Sequence, residues 1–213
     1  MLRGVSGQDR PAGRVGPSTA TVLGTVTRLQ VQRARLKPGV APHRAYDPGP
    51  LLAVPELVVG PRGVLGRTAA GAEVLDVHHA DHPDSRNRRL ANGLSLLPAA
   101  HYALLRQAFG DHLVHGSAGE SLLLQTAGPW TEQDLVGDLV LETCDGPPLA
   151  LLDVAPMPPC LEFTRFCLGR EPGSPVDDEV LAALASLGDG RRGFMARPGA
   201  SGRVSAGCRL LRT

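Results

Sequence analysis

Turn-forming residues are spread through the whole chain, because glycine and proline supply 45 of its 213 residues, 26 and 19 respectively. Average usage of the two together is about 12%. Glycine weakens the interior of helices and strands, and proline removes a backbone hydrogen-bond donor. The sequence therefore excludes a long-helix bundle or a coiled coil, and it favours many short elements joined by turns.

Composition and charge narrow the class of protein further. Hydrophobic residues make up 42% of the chain and charged residues 20%, so wholesale disorder is not expected. We expect residues 1–19, which lack the apolar core of a signal peptide, to form a flexible tail, and residues 20–213 to form one domain. The formal charge of +1 gives no global field for nucleic acid, and no apolar run is long enough to span a membrane. A cytoplasmic protein without nucleic-acid or membrane partners is expected.

Two segments have the pattern of helices, and about eight have the pattern of short strands. The helices are predicted over residues 98–109, followed by Gly110, and over residues 174–187 with Ser174 as N-cap. Together these elements predict a mainly β, barrel-like domain with helices over its openings. Strands are predicted at 20–32 (broken near Gly24), 51–59 (interrupted at Pro55), 73–77, 120–125, 138–144, 149–154, 194–197 and 204–211, with a turn-rich stretch at 60–71.

One cysteine has an unusual setting, at the end of the segment LALLDVAPMPPC over residues 149–160. An apolar strand ends near Ala155, and a Pro-Met-Pro-Pro loop then leads to Cys160. Proline restricts the loop to few conformations, which fixes the position of the thiol. A metal ligand or nucleophile needs such a fixed thiol. A buried structural cysteine after a proline turn is the alternative interpretation.

Further motifs flank this segment in a definite order. A G-x-x-G-E turn over residues 116–120 opens one strand, and the segment ending in P-x-x-P-C comes next. The sequence RGFMAR follows at residues 192–197, and a closing G-x-V-x-x-G hairpin at residues 202–207. In this order, the motifs resemble the MOSC domain (molybdenum cofactor sulfurase C-terminal domain), particularly its stand-alone bacterial members.

The resemblance implies a MOSC-type β-barrel with two or three peripheral α-helices that binds the molybdopterin form of the molybdenum cofactor. It assigns Cys160 as the catalytic residue and molybdenum ligand, or as the sulfur acceptor in sulfurase relatives. Arginines would bind the phosphate of the pterin, since their fixed donors suit phosphate. The expected cofactor-binding residues are Gly116, Gly119, Glu120, Ser121, Arg192, Arg197 and Arg86.

Three positions depart from the pattern of the family. Ser121 stands where the family commonly has asparagine, and Cys208 follows Gly207 where an aspartate is usual. The N-terminal G-x-x-G-D signature has only GVLGR, residues 63–67, as its nearest counterpart. These departures favour the hypothesis of a non-catalytic binding module that keeps the barrel.

Two further hypotheses assign the protein a catalytic function or a sulfur-carrier function. The first is a molybdenum-dependent oxidoreductase that reduces a small molecule, an N-hydroxylated compound by family resemblance. The chain has no flavin, iron–sulfur or Rossmann signature, so a separate protein would have to donate electrons. The second is a sulfur carrier, in which a cysteine desulfurase loads Cys160 with a persulfide for sulfur transfer.

Other reactive side chains have several interpretations. The cluster HHADHPD at residues 78–84 could hold zinc or iron, lie beside a cofactor pocket, or be a solvated loop. Lys37, the only lysine, lies in a turn-like stretch, which makes pyridoxal-type chemistry improbable. Cys167 is interpreted as a core thiol or as a resolving partner for an oxidised Cys160, and Cys144 and Cys208 are interpreted as structural.

Overall fold

Short strands dominate the computed structural model, which describes residues 20–85, 87 and 93–213. The strands in this part of the chain are β1 (Thr21–Gln32), β2 (Leu51–Ala53), β3 (Glu56–Gly60), β4 (Gly63–Arg67), β5 (Glu73–Leu75), β6 (Leu94–Pro98), β7 (Leu122–Gln125), β8 (Leu139–Leu141), β9 (Leu149–Pro156), β10 (Phe194–Pro198), β11 (Gly202–Ser205) and β12 (Arg209–Arg212). The helices are α1 (Ala99–Phe109), α2 (Leu161–Cys167) and α3 (Asp178–Ser186), with a 3-10 turn at Glu132–Leu135.

Seven of these strands form a closed barrel in the order β1, β12, β8, β9, β10, β6, β7. Strand β1 closes the barrel, because its first half pairs with β12 and its second half with β7. The register of β1 shifts between Val22 and Gly24. A Cβ atom at Gly24 would lie 3.0 Å from the carbonyl oxygen of Gln125, so glycine permits the close approach of β1 to β7. The mainly β barrel with peripheral helices is therefore confirmed.

A second, four-stranded antiparallel sheet lies beside the barrel, in the order β11, β3, β4, β5. Pro55 separates β2, which pairs with β1, from β3, which pairs with β4 and β11. The backbone N–H of Val54 donates to the carbonyl of Leu29 in β1. The second sheet is thus attached to the end of β1.

Two clusters of buried apolar side chains make up the core. One fills the barrel and the space under the second sheet, with Leu96, Leu141 and Leu210 among its fully buried members. The other lies between the barrel and helices α1 and α2, around Tyr102 and Phe163. The partly buried Cys160 packs against this second cluster.

Several local predictions are wrong, each for a physical reason. The stretch at 60–71 contains β4, in which Gly66 allows close packing against Val31, because a Cβ atom there would lie 2.9 Å from Val31 Cγ1. Helix α3 begins after Asp177, whose carboxylate accepts a hydrogen bond from the N–H of Val180, and Ser174 is not its cap. Helix α2 and strand β6 were not predicted, since each is short and lacks a clear period.

The sequence also predicted a flexible N-terminal tail and no segment that spans a membrane. The predicted tail, residues 1–19, lies outside the described residues. Among the residues that are described, no helix has the length and apolar character needed to cross a membrane.

The closing strand offers a test of the barrel. Leu210 of β12 is fully buried between β1 and β8, so Leu210→Ala should lower the free energy of unfolding by about 2–5 kcal/mol. The matched control is Leu181→Ala on α3, where the side chain is 51% exposed and the change should stay within about 0.5 kcal/mol. Urea denaturation followed by circular dichroism measures both. Equal effects of the two variants would contradict the closed barrel.

Candidate functional site

A cavity of about 430 Å³ lies where the end of β1, the connector after it and the loop from β9 to α2 meet. Strands β6 and β10 contribute Ser95 and Met195 to its wall, and the turn before β7 contributes Ala118 and Gly119. Cys160 faces this cavity and is partly exposed. The fixed cysteine of the sequence therefore lies in the wall of a cavity and is not a buried structural thiol.

The position of Cys160 follows from the strand before it and the helix after it. The N–H of Met157 donates to the carbonyl of Gly193 at 2.8 Å, so the loop leaves β9 still attached to the segment before β10. Pro158 and Pro159 then restrict the backbone. The carbonyl of Cys160 accepts hydrogen bonds from the N–H and the hydroxyl of Thr164 at the start of α2, at 3.0 and 2.9 Å. The thiol is thus anchored on both sides.

Arg192 is a charged residue that forms a hydrogen bond with this thiol. Its Nη1 donates to the Cys160 sulfur at 3.2 Å and to the carbonyl of Pro158 at 3.1 Å. The guanidinium also lies over the ring of Phe163, 5.0 Å from its centroid, and the residue is only 8% exposed. Its Nε is buried without a hydrogen-bond partner in the described structure. A buried cation with one unused donor therefore lines the cavity beside the thiol.

The charged side chains of the cavity wall are mostly cations. Arg35, Lys37, Arg44 and Arg192 line it, and among the described lining residues Asp84 is the single carboxylate. Arg35 pairs with Asp84 at 3.3 Å. Lys37 and Arg44 form no ion pair within the described part of the chain. The uncompensated charge favours an anion in this cavity.

A buried hydrogen-bond network supports the turn that forms one wall. The Glu120 carboxylate accepts hydrogen bonds from the Tyr102 hydroxyl at 2.9 and 3.0 Å and from the N–H of Gly116 at 3.1 Å. Burial raises the pKa of Glu120 to about 7, although the bonds from Tyr102 and Gly116 oppose this shift. Gln32 donates to the carbonyl of Gly119 at 2.7 Å. The network fixes the turn without exposing Glu120 to the cavity.

Gly119 has a specific reason to be glycine. Its φ is +85°, and a Cβ atom would lie 2.8 Å from Leu36 Cδ1 and 3.2 Å from the Tyr46 hydroxyl. The Tyr46 hydroxyl donates to the carbonyl of Ser117 at 2.8 Å. The turn is therefore held tightly against the connector that brings the cations to the cavity.

The predicted site residues separate into three groups. Cys160, Arg192 and Gly119 line the cavity. Arg197 is bonded to Asp153 at 2.9 Å and does not line the cavity, and Arg86 lies outside the described residues. The residues that support the cavity from behind are Gly116, Glu120 and Ser121, whose hydroxyl lies 3.1 Å from that of Ser95.

Sequence reasoning missed the contribution of the connector after β1. Lys37 and Arg44 lie in residues 33–50, the connector between β1 and β2, where the sequence pattern predicted no helix or strand. The signal that could have found them is the concentration of basic residues between 33 and 44 in an otherwise neutral chain. An abundance of glycine and proline in the same stretch concealed this pattern.

The histidine-rich segment also meets the cavity. His78 and Asp84 line it, which agrees with a loop beside a pocket. Asp76 holds the segment, since its carboxylate accepts from the N–H of Gln32 at 2.7 Å and from the N–H of His78 at 2.8 Å. No group of three or more His, Cys, Asp or Glu side chains among the described residues could hold a metal ion. The interpretation of this segment as a zinc or iron site is therefore not supported.

Comparison with known proteins bears on the fold. No protein-family model matches the chain, and no curated protein matches it in sequence. The structure is similar to that of the YuaD protein from Bacillus subtilis, with a TM-score of 0.55 and 11% identity over 91% of this chain and 96% of that one. A hypothetical protein of known structure gives a TM-score of 0.52 and 14% identity, over 91% of this chain and 69% of the other.

A third solved structure, YiiM from Escherichia coli, has 17% identity and a TM-score of 0.47, and covers 76% of this chain and 64% of that protein. At such low sequence identities, structural similarity shows only that the fold is shared. The likeness to YuaD and the closed seven-stranded barrel support a MOSC-like fold.

The raised pKa of Glu120 predicts a pH dependence of stability. The carboxyl binds a proton up to about pH 7 when folded and up to about pH 4.5 when unfolded. The folded state holds the extra proton in this window, so the free energy of unfolding should fall as pH rises, by up to about 3 kcal/mol.

Comparison with Glu120→Gln isolates this effect, since the titrating histidines are common to both proteins. We expect urea denaturation between pH 4.5 and 8 to show that the free energy of unfolding of Glu120→Gln rises relative to that of the wild type as pH rises. Glu132→Gln, at an exposed carboxyl, is the control. A pH-independent difference between Glu120→Gln and wild type would refute the assignment.

Proposed function

We propose that the cavity binds the molybdenum cofactor, with Cys160 as the protein ligand to molybdenum, and that the protein is an oxidoreductase acting on a small N-hydroxylated compound. One observation carries the proposal. Cys160 faces a cavity in which cations outnumber carboxylates, and a buried arginine donates directly to its sulfur.

The residues present fit this cofactor in three respects. A cysteine thiolate suits a soft metal centre. Lys37, Arg44 and Arg192 line the cavity and carry donors for the phosphate of a molybdopterin. The volume of about 430 Å³ lies within the usual range for a small-molecule pocket.

Each residue of the chain then has a defined task. Arg192 orients the Cys160 sulfur toward the cavity, and the two prolines before it limit its movement. Lys37 and Arg44 bind the anionic end of the cofactor. When bound, the cofactor would supply two-electron redox chemistry, and a separate electron-donor protein would supply the electrons.

Sulfur transfer is the second candidate function, favoured by the partial exposure of Cys160 in an open-sided cavity. A persulfide on this sulfur would lie within reach of an incoming donor such as a cysteine desulfurase. A fully buried Cys160 with no adjoining cavity would favour the non-catalytic alternative, and the structure has neither feature. Mass spectrometry of the Cys160 peptide after incubation with a desulfurase detects the added sulfur atom.

The role of Cys160 predicts the metal content of the protein. Protein purified from a host that makes the cofactor should contain molybdenum, and Cys160→Ser should retain less than about a tenth of it, because a hydroxyl is a poor ligand for a soft metal. Cys144→Ser, at an exposed thiol outside the cavity, should retain the wild-type amount. Elemental analysis by mass spectrometry measures all three. Absence of molybdenum from the wild type would refute the proposal.

The cations of the connector predict the affinity for the pterin phosphate. Lys37→Ala and Arg44→Ala should each weaken retention of the cofactor about tenfold, as expected for loss of one charge-assisted hydrogen bond. Arg33→Ala is the matched control, since Arg33 lies in the same segment but does not line the cavity. Pterin released after timed dialysis and measured by fluorescence gives the result. Equal retention by all three variants would exclude the connector as the phosphate site.

A further inference from the structure

Two cysteines outside the cavity lie in contact with each other. The sulfur of Cys144, in the loop after β8, is 3.8 Å from the sulfur of Cys208, just before β12. The residues that line the depression around this pair are all different from those that line the cavity, and Cys144 and Cys160 lie at opposite ends of β9. The pair is therefore independent of the site described above.

Backbone hydrogen bonds hold both cysteines in place. The N–H of Cys144 donates to the carbonyl of Arg203 in β11 at 2.8 Å. The carbonyl of Cys208 accepts from the N–H of Val26 in β1 at 2.8 Å, and the N–H of Gly207 donates to the carbonyl of Val26 at 2.9 Å. Since both backbones are fixed by the sheets, the short separation of the two sulfurs is a property of the fold.

The two thiols differ in their access to solvent. Cys144 is exposed, whereas Cys208 is only 8% exposed, and both line one surface depression. Burial raises the pKa of the Cys208 thiol. The Ser205 hydroxyl lies 3.1 Å from the sulfur of Cys144. An incoming oxidant therefore meets Cys144 first, with Cys208 directly behind it.

We propose that Cys144 and Cys208 form a reversible intramolecular disulfide bond when the protein meets a peroxide. The thiolate of Cys144 attacks one peroxide oxygen and becomes a sulfenic acid, while the other oxygen leaves as hydroxide and takes up a proton as water. The sulfur of Cys208 then attacks the sulfur of Cys144, loses its proton and displaces the second oxygen as water. Two thiols are oxidised, and one peroxide is reduced to two waters.

The geometry requires little rearrangement for this step. The two sulfurs are 3.8 Å apart and a disulfide has an S–S length of about 2.05 Å, so the two sulfurs must move toward each other to form the bond. The bond would tie the loop after β8 to the hairpin between β11 and β12, and would close a long loop of chain. Closing such a loop stabilises the protein by constraining its unfolded state.

Peptide mapping tests the proposal directly. Wild type, Cys160→Ser and Cys208→Ser are treated with hydrogen peroxide, blocked with an alkylating agent and digested. Trypsin alone leaves Cys144 and Cys160 on one peptide, since the chain has no lysine or arginine between Arg106 and Arg165. Glu-C, under conditions where it also cleaves after aspartate, cuts after Asp145 and Asp153 and separates them.

The expected result is a peptide pair linked through Cys144 and Cys208 in both wild type and Cys160→Ser, lost on addition of dithiothreitol. Cys208→Ser should instead leave a sulfenic acid on Cys144 that dimedone traps. Oxidation should also raise the Tm of Cys160→Ser by roughly 5 °C. Oxidised Cys144 without the linked pair, or Cys208 linked to another cysteine, would overturn the proposal. The function proposed for the cavity and Cys160 does not depend on this disulfide, so a negative result would not affect it.

Discussion

The double pairing of β1 is the constraint on which the rest of the structure depends. One strand closes the barrel against β12 with its first half and β7 with its second, and the shift at Gly24 lets it do both. This closure places the end of β1 next to the turn before β7, where Gln32 donates to the carbonyl of Gly119. The connector after β1 then crosses the loop that carries Cys160. The strand that closes the barrel therefore also contributes to the wall of the cavity.

Charge inside the cavity has a local origin. The chain as a whole is nearly neutral, with a formal charge of +1, yet three of the four cations in the cavity come from one short connector. Arg192 is the fourth, and it is held by the sulfur of Cys160 and the ring of Phe163. Anion recognition in this protein thus depends on where the fold brings a few side chains and not on an overall field.

The positions of glycine and proline in the sequence predicted both the barrel and the fixed position of Cys160. Glycine and proline in every segment imply short elements, and a proline-rich loop after an apolar strand implies a fixed thiol. The sequence could not predict that Arg197 binds Asp153, since both lie on neighbouring strands whose register it does not specify. Nor could it place Lys37 and Arg44, because an irregular connector has no period from which to infer a direction.

X-ray absorption at the molybdenum edge tests the central claim most directly, because it counts the sulfur atoms bound to the metal. Protein loaded with the cofactor should show one more sulfur neighbour in the wild type than in a sample of Cys160→Ser reconstituted with excess cofactor. Cys144→Ser should match the wild type. The same sulfur count in wild type and Cys160→Ser would contradict the assignment of Cys160 as the molybdenum ligand.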